Sequence, residues 1–214
     1  MQTILIFVRH GESEGNKSSR FNGSLNLPLT ERGQLQASKT ALYLKKFKID
    51  KVYASDLSRA AQTGKTIAEM QNCDIVFCKE LREIFGGDFE GQLYDDLRTK
   101  FPKEFGIWLN DLGNCVCPNG ESIKDLLKRF NDKIISIVNE NIGKTIVIAT
   151  HAMPIRVMST VWSKKDITKV RDFEFVRNAS VTVVDYTDIN NPEVLVYDEA
   201  EHLGELVTEL PHNV

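Results

Sequence analysis

Two short apolar runs constrain this chain more than anything else in it: residues 3–8 (TILIFV) and 144–150 (KTIVIAT), each followed within two residues by a histidine. Runs of that length with almost no polar alternation read as strands buried on both faces, because neither side could carry a charge. Between them the pattern changes to helical spacing. Thr30 is placed to cap a helix predicted to run to about Lys46, and Ser55 and Asp56 are cap candidates for a helix over 57–70. Ile123, Leu126, Leu127, Phe130, Ile134, Ile137 and Val138 follow a capping-box-like Ser122 and Asp125. Residues 51–54 and 74–77 read as strands, and Pro154 suits the first turn of a helix ending near Trp162. Late strands are predicted at 181–186 and 194–197, with Asn190-Asn191-Pro192 as the turn between them. Strands alternating with helices predict an α/β fold, a three-layer α/β/α sandwich around a mostly parallel central sheet. Residues 1–214 read as one domain. A cap-like insertion is expected around 84–120, with short helices at 94–100 and 103–110.

Composition narrows the function. Hydrophobic residues make up 42% and charged residues 27%, enough for a packed core. A net charge of −3 argues against nucleic acid as a partner, because a phosphate-backbone binder normally carries a broad basic field. The first residues lack the basic start of a signal peptide, and no apolar stretch approaches the roughly 20 residues that span a bilayer. A cytoplasmic protein without a membrane partner is expected, and a homodimer is compatible with a chain of this size. Cys73, Cys78, Cys115 and Cys117 match no zinc spacing, and Cys115 and Cys117 read as reduced thiols on a surface loop.

In open α/β sheets, ligands bind beyond the carboxyl ends of the strands. That rule selects Arg9-His10-Gly11-Glu12 and His151. Imidazole is a competent nucleophile near neutral pH, and the arginine fork matches phosphate oxygens. Gly11 reads as room for close backbone approach to a ligand. Arg59 falls in the first turn of a predicted helix, where a cation is unfavourable unless an anion binds beside it. Its plain alternative is a surface pair with Asp56. A phosphate ester also needs an acid for its leaving oxygen, and Glu83, Asp88 and Glu90 are equal candidates by their position. Phe101, Phe105, Ile107 and Trp108 could wall an apolar substrate or simply be core. His202 and His212 lie in a polar tail and are given no role.

Taken together, these segments resemble the histidine phosphatase superfamily, the phosphoglycerate-mutase-like proteins. The match runs over roughly 3–186. It comprises V-R-H-G-E-S at 8–13 with Asn16 following, P-L-T-E-R-G-Q-L-Q-A at 28–37 and S-D-L-S-R-A-A-Q-T at 55–63. L-R-E-I-F-G-G-D-F-E-G at 81–91, P-N-G-E-S at 118–122 and the strand ending in His151 complete it. The resemblance implies that His10 becomes phosphorylated, that Arg9, Arg59 and His151 complete the phosphate pocket with Asn16 as a polar contact, and that Glu83 is the proton donor. It implies no cofactor and no metal, and a small phosphorylated metabolite as ligand. Mutases of the family carry E-R-x-Y-G-x-L-x-G after the proton donor. Here Glu83–Gly91 lacks that arginine and tyrosine and adds acid, so the resemblance favours the phosphatase branch. A phosphoglycerate mutase and a non-catalytic phosphate-binding module on the same fold are the alternatives.

Overall fold

The structure is a computed structural model that describes residues 1–18 and 20–208. His212 lies outside the described residues. Six strands form one sheet: β1 (Ile4–Arg9), β2 (Lys51–Ser55), β3 (Asp74–Cys78), β4 (Thr145–Thr150), β5 (Val181–Asp185) and β6 (Glu193–Glu199). Their order is β3-β2-β4-β1-β5-β6. The first four in that order run parallel, and β5 and β6 close the edge antiparallel.

The helices are α1 (Glu31–Tyr43), α2 (Ser58–Gln71), α3 (Tyr94–Lys100), α4 (Pro102–Asn110), α5 (Ile123–Glu140) and α6 (Ala152–Trp162). Alternation within each strand sends neighbouring side chains to opposite faces. Leu5, Phe7, Ile146 and Ile148 pack against Phe130 and Ile134 of α5 and Ile155 and Met158 of α6. Ile6, Val8 and Val147 pack on the other face against Ala41 of α1 and Ile67 of α2. This is the three-layer sandwich that the alternation predicts. A separate apolar cluster builds on α3 and α4, with Phe89, Leu97, Phe105 and Trp108 packed against Ile123 and Met153. No described helix is long and apolar enough to cross a membrane.

Several local expectations change. The helix from Thr30 ends as α at Tyr43 and continues as a 3₁₀ turn over Leu44–Lys46. Neither Ser55 nor Asp56 caps α2. The cap residue is Leu57, and the exposed Ser58 N–H is instead satisfied by Asn26 Oδ1 at 2.7 Å, from a distant loop. Cys115 and Cys117 are not on a surface loop: both are free thiols buried in the cluster on α3 and α4. The polar tail is folded through its described residues. A 3₁₀ helix at Glu201–Leu206 lies against α1, where His202 stacks on Tyr43 and its Nε2 meets Thr40 Oγ1 at 2.9 Å.

Candidate active site

The register of the sheet creates the site. Arg9 at the end of β1 pairs with Thr150 at the end of β4, so the next residues, His10 and His151, emerge side by side. Their ring centroids lie 5.1 Å apart. On the other flank of β4, Ala54 pairs with Ala149, which brings Ser55 level with Thr150. Ser55 Oγ then meets His151 Nε2 at 2.8 Å. Both imidazoles are buried, as are Arg9 and Arg59.

The two neighbours of His10 fix its tautomer. A carbonyl only accepts, so Nδ1 carries the proton donated to Gly11 O at 2.7 Å. The Arg59 Nε–H only donates, so His10 Nε2, 3.1 Å away, presents its lone pair. Burial, and after it the charges of Arg59 and Arg9, hold the His10 pKa well below the ordinary 6.5. The imidazole is therefore neutral, with a lone pair on Nε2 that is chemically able to attack an electrophile. The backbone of His10 is equally restrained. Its N–H donates to Thr150 O, and its carbonyl accepts from Asn178 Nδ2 at 3.1 Å.

Gly11 has a different role from the one expected. A side chain at Gly11 would collide with the Gly33 carbonyl, and one at Gly33 with the Glu12 carbonyl. The two glycines let the loop after β1 dock directly on the start of α1.

Arg59 sits in the first turn of α2, as the sequence suggests, but its alternative pairing fails: Asp56 binds Arg82 at 2.6 Å instead. Arg59 donates to Leu25 O at 2.6 Å and Gly23 O at 2.8 Å, so its fork is braced by the loop before α1. Arg9 donates to Val176 O at 2.6 Å while its Nε is buried without a partner, and so is His151 Nδ1. Burial pulls the Arg9 pKa down to about 10, which leaves it charged at neutral pH. Unpaired buried nitrogens on residues that flank His10 suit an oxyanion. Asn16 lines the same cavity, its Oδ1 accepting from Ser13 and Asn178.

Of the three carboxyl candidates, only Glu83 lines this cavity. Glu90 is occupied by Ser24 and Gly86, and Asp88 by Asn119. Glu83 accepts from Ile84 N at 2.8 Å and from Met153 N, at the start of α6, at 3.2 Å. Burial raises its pKa above the ordinary 4.5, against the pull of those hydrogen bonds and of Arg59 and Arg9. The cavity encloses about 540 Å³. Its walls combine the apolar and aromatic Phe21, Ile84, Tyr94, Trp108 and Phe175 with the polar Ser13, Asn16, Asn22 and Asn178, and Arg20 stands at the exposed rim. Trp108 thus serves both readings considered for the aromatic series: it is core to α4 and wall to the cavity.

Sequence reasoning overlooked Ser55 as the partner of His151, although its strand-end position obeys the same rule that selects the histidines. It also overlooked Thr63, one turn beyond Arg59, whose Oγ1 accepts from Gly11 N at 3.2 Å. Asn178 carries no pattern that could have marked it.

These shifts set a stability prediction. His10 and His151 both have pKa values lowered by burial, so between those values and about 6.5 the unfolded chain binds more protons than the folded one. Stability therefore rises with pH across that window. The melting temperature is expected to drop as pH is lowered below about 6.5, with a shallower slope in His10→Gln. Thermal melts at a series of pH values check this.

A model of the histidine phosphatase superfamily (branch 1) matches residues 5–199. Phosphoserine phosphatase 1 of Hydrogenobacter thermophilus is 31% identical over 205 residues, covering 96% of each protein. The probable phosphoglycerate mutase GpmB of Escherichia coli is 30% identical over 194 residues, 86% of this chain and 85% of that protein. Among solved structures, Bacillus stearothermophilus YhfR superposes with a TM-score of 0.89 at 26% identity, covering 94% of this chain and 99% of the other.

Proposed function

Because the chain belongs to the histidine phosphatase superfamily, we propose that it is a metal-independent phosphatase that hydrolyses a small phosphomonoester through a phosphohistidine on His10. The observation that carries this reading is the unprotonated Nε2 of His10 in a cavity lined also by Arg9, Arg59 and Glu83, with the buried His151 ring packed 5.1 Å from that of His10.

The reaction runs as two displacements. His10 Nε2 gives its electron pair to phosphorus, the ester P–O bond breaks, and Glu83 passes its proton to the leaving oxygen. Water then attacks the phosphohistidine, Glu83 takes a proton from it, the P–N bond breaks, and inorganic phosphate leaves. The substrate must take over the Arg59 Nε–H that meets His10 Nε2, so binding frees the nucleophile as it seats the phosphate. Charge on the equatorial oxygens is met by two guanidinium groups and the donor of His151, which is the main requirement of phosphoryl transfer. A raised Glu83 pKa keeps the acid protonated further toward neutral pH.

Relatives carry both phosphatase and mutase names, and the cavity walls favour the phosphatase. A mutase would have to seat the second phosphate of a bisphosphate close to the first. Here that space is walled by Phe21, Ile84, Tyr94 and Trp108, and the further cation, Arg20, stands at the rim. An apolar leaving group suits those walls better than a second phosphate.

Hydrolysis of para-nitrophenyl phosphate, measured with and without EDTA, tests this reading. Equal turnover in both is expected. No turnover in either would support a non-catalytic phosphate-binding module, and loss with EDTA would overturn metal independence. Interconversion of phosphoglycerates that depends on a bisphosphate would favour the mutase.

A further inference from the structure

Arg129 lies on α5, and the cavity holding His10 does not include it among its walls. A guanidinium has five N–H donors, and here all five have a partner. Nε donates to Glu121 Oε1 at 2.6 Å. Nη1 donates to Glu80 O at 2.8 Å and to Arg82 O at 2.9 Å. Nη2 donates to Glu83 O and to Glu121 Oε2, both at 2.9 Å. Three of these acceptors are carbonyls of the segment that presents Glu83. That segment is a single 3₁₀ turn, Lys79–Leu81, followed by extended chain outside the sheet, so it has no ladder of its own to hold it.

Glu121 secures the other side. Its Oε2 accepts from Phe85 N at 3.3 Å, and its own N–H donates to Phe85 O at 2.8 Å. Gly120 and Gly87 allow the two loops to meet backbone to backbone, since a side chain on either would strike the opposing main chain. The carbonyls before Glu83 and both polar backbone groups of Phe85 are thus tied to one bidentate Arg–carboxylate pair. Such pairs fix orientation better than a point charge does. The cations that act on the Glu83 carboxyl are Arg59 and Arg9, which leaves geometry as the contribution of Arg129.

We propose that the Arg129–Glu121 pair is a positioning device that holds the Glu83 carboxyl at the leaving oxygen, without itself touching substrate. This rests on the reading of Glu83 as the proton donor. Misplacing an acid by about 1 Å costs as much as 10²-fold, and the cost falls on leaving groups that need the proton.

The test compares kcat/KM for phenyl phosphate and para-nitrophenyl phosphate. The two have similar shape, but phenol, with a pKa of about 10 like tyrosine, is much the more basic leaving group. Glu83→Gln is expected to lose at least about tenfold more activity toward phenyl phosphate than toward the nitrophenyl ester. Arg129→Lys is expected to show the same bias to a smaller degree, and to add no further bias in the Glu83→Gln background. Glu121→Gln, which keeps one acceptor oxygen, serves the same purpose if Arg129→Lys does not fold. An equal loss on both esters, or a bias that adds fully to that of Glu83→Gln, would overturn the positioning role. Absence of any bias in Glu83→Gln itself would instead overturn the proton-donor reading.

Discussion

His10→Ala is expected to lower turnover of any phosphomonoester by at least about 10⁴-fold, with the melting temperature within a few degrees of the parent. In the proposed mechanism the large kinetic effect follows from losing the atom that accepts the phosphoryl group. Residual rate would have to come from direct attack by water in a pocket that still binds phosphate. The small effect on stability follows from the few contacts the side chain makes. His10 makes two hydrogen bonds, one to the adjacent Gly11 carbonyl and one from Arg59. Burial and two nearby guanidinium groups keep it uncharged, so it contributes no ion pair to the fold. Circular-dichroism melts beside steady-state assays check both halves. A variant that loses activity only because it unfolds would contradict the assignment.

Arg59→Ala is expected to act on chemistry and structure together. Removing an arginine that stabilises a transferring phosphoryl group typically costs about 10³-fold or more. Here the same guanidinium also donates to Gly23 O and Leu25 O; Leu25 O keeps Leu27 N as a donor, but alanine leaves the buried Gly23 carbonyl short of one, at roughly 1–3 kcal/mol. Melting temperature should therefore fall, in contrast to His10→Ala. Arg59→Lys separates the two effects: it restores charge but not the fork, and is expected to remain down by about 10²-fold. The pH profile gives a third readout. Burial is the largest cause that lowers the His10 pKa, and Arg59 is the next. With Arg59 gone, the His10 pKa rises, so the acid limb of kcat/KM should move to higher pH.

Much of the fold was legible because its signals are local. Residues 3–8 and 144–150 are too apolar to be anything but interior strands, and Thr30 and Ser122 both cap the helices they precede, accepting from Gly33 N and Asp125 N. The site was legible where strand-end logic reaches, at His10 and His151. What failed was long-range. Nothing near Leu57 announces that Asn26 will satisfy the start of α2, because that partner arrives through folding. Nothing in the spacing of Cys115 and Cys117 reveals that α3 and α4 will bury them. The choice among Glu83, Asp88 and Glu90 depends on which carboxyls are consumed by neighbouring loops, a question of tertiary hydrogen bonding. The role of Ser55 likewise comes from the register of β1, β4 and β2, and that of Asn178 from the loop that enters β5 beside β1, neither of which a single strand encodes.

All the chemistry described above requires that the phosphoryl group rest on one imidazole between its two transfers. Glu83→Gln should slow the second transfer by removing the base for water, while an ester with a weakly basic leaving group still completes the first. Rapid quenching of that variant during turnover of para-nitrophenyl phosphate, followed by peptide mapping, is the direct measurement. The account predicts protein-bound phosphate that survives alkali, is lost in acid, and maps to His10. Phosphate carried on a different residue, or released nitrophenol with no phosphoprotein at any time point, would contradict it.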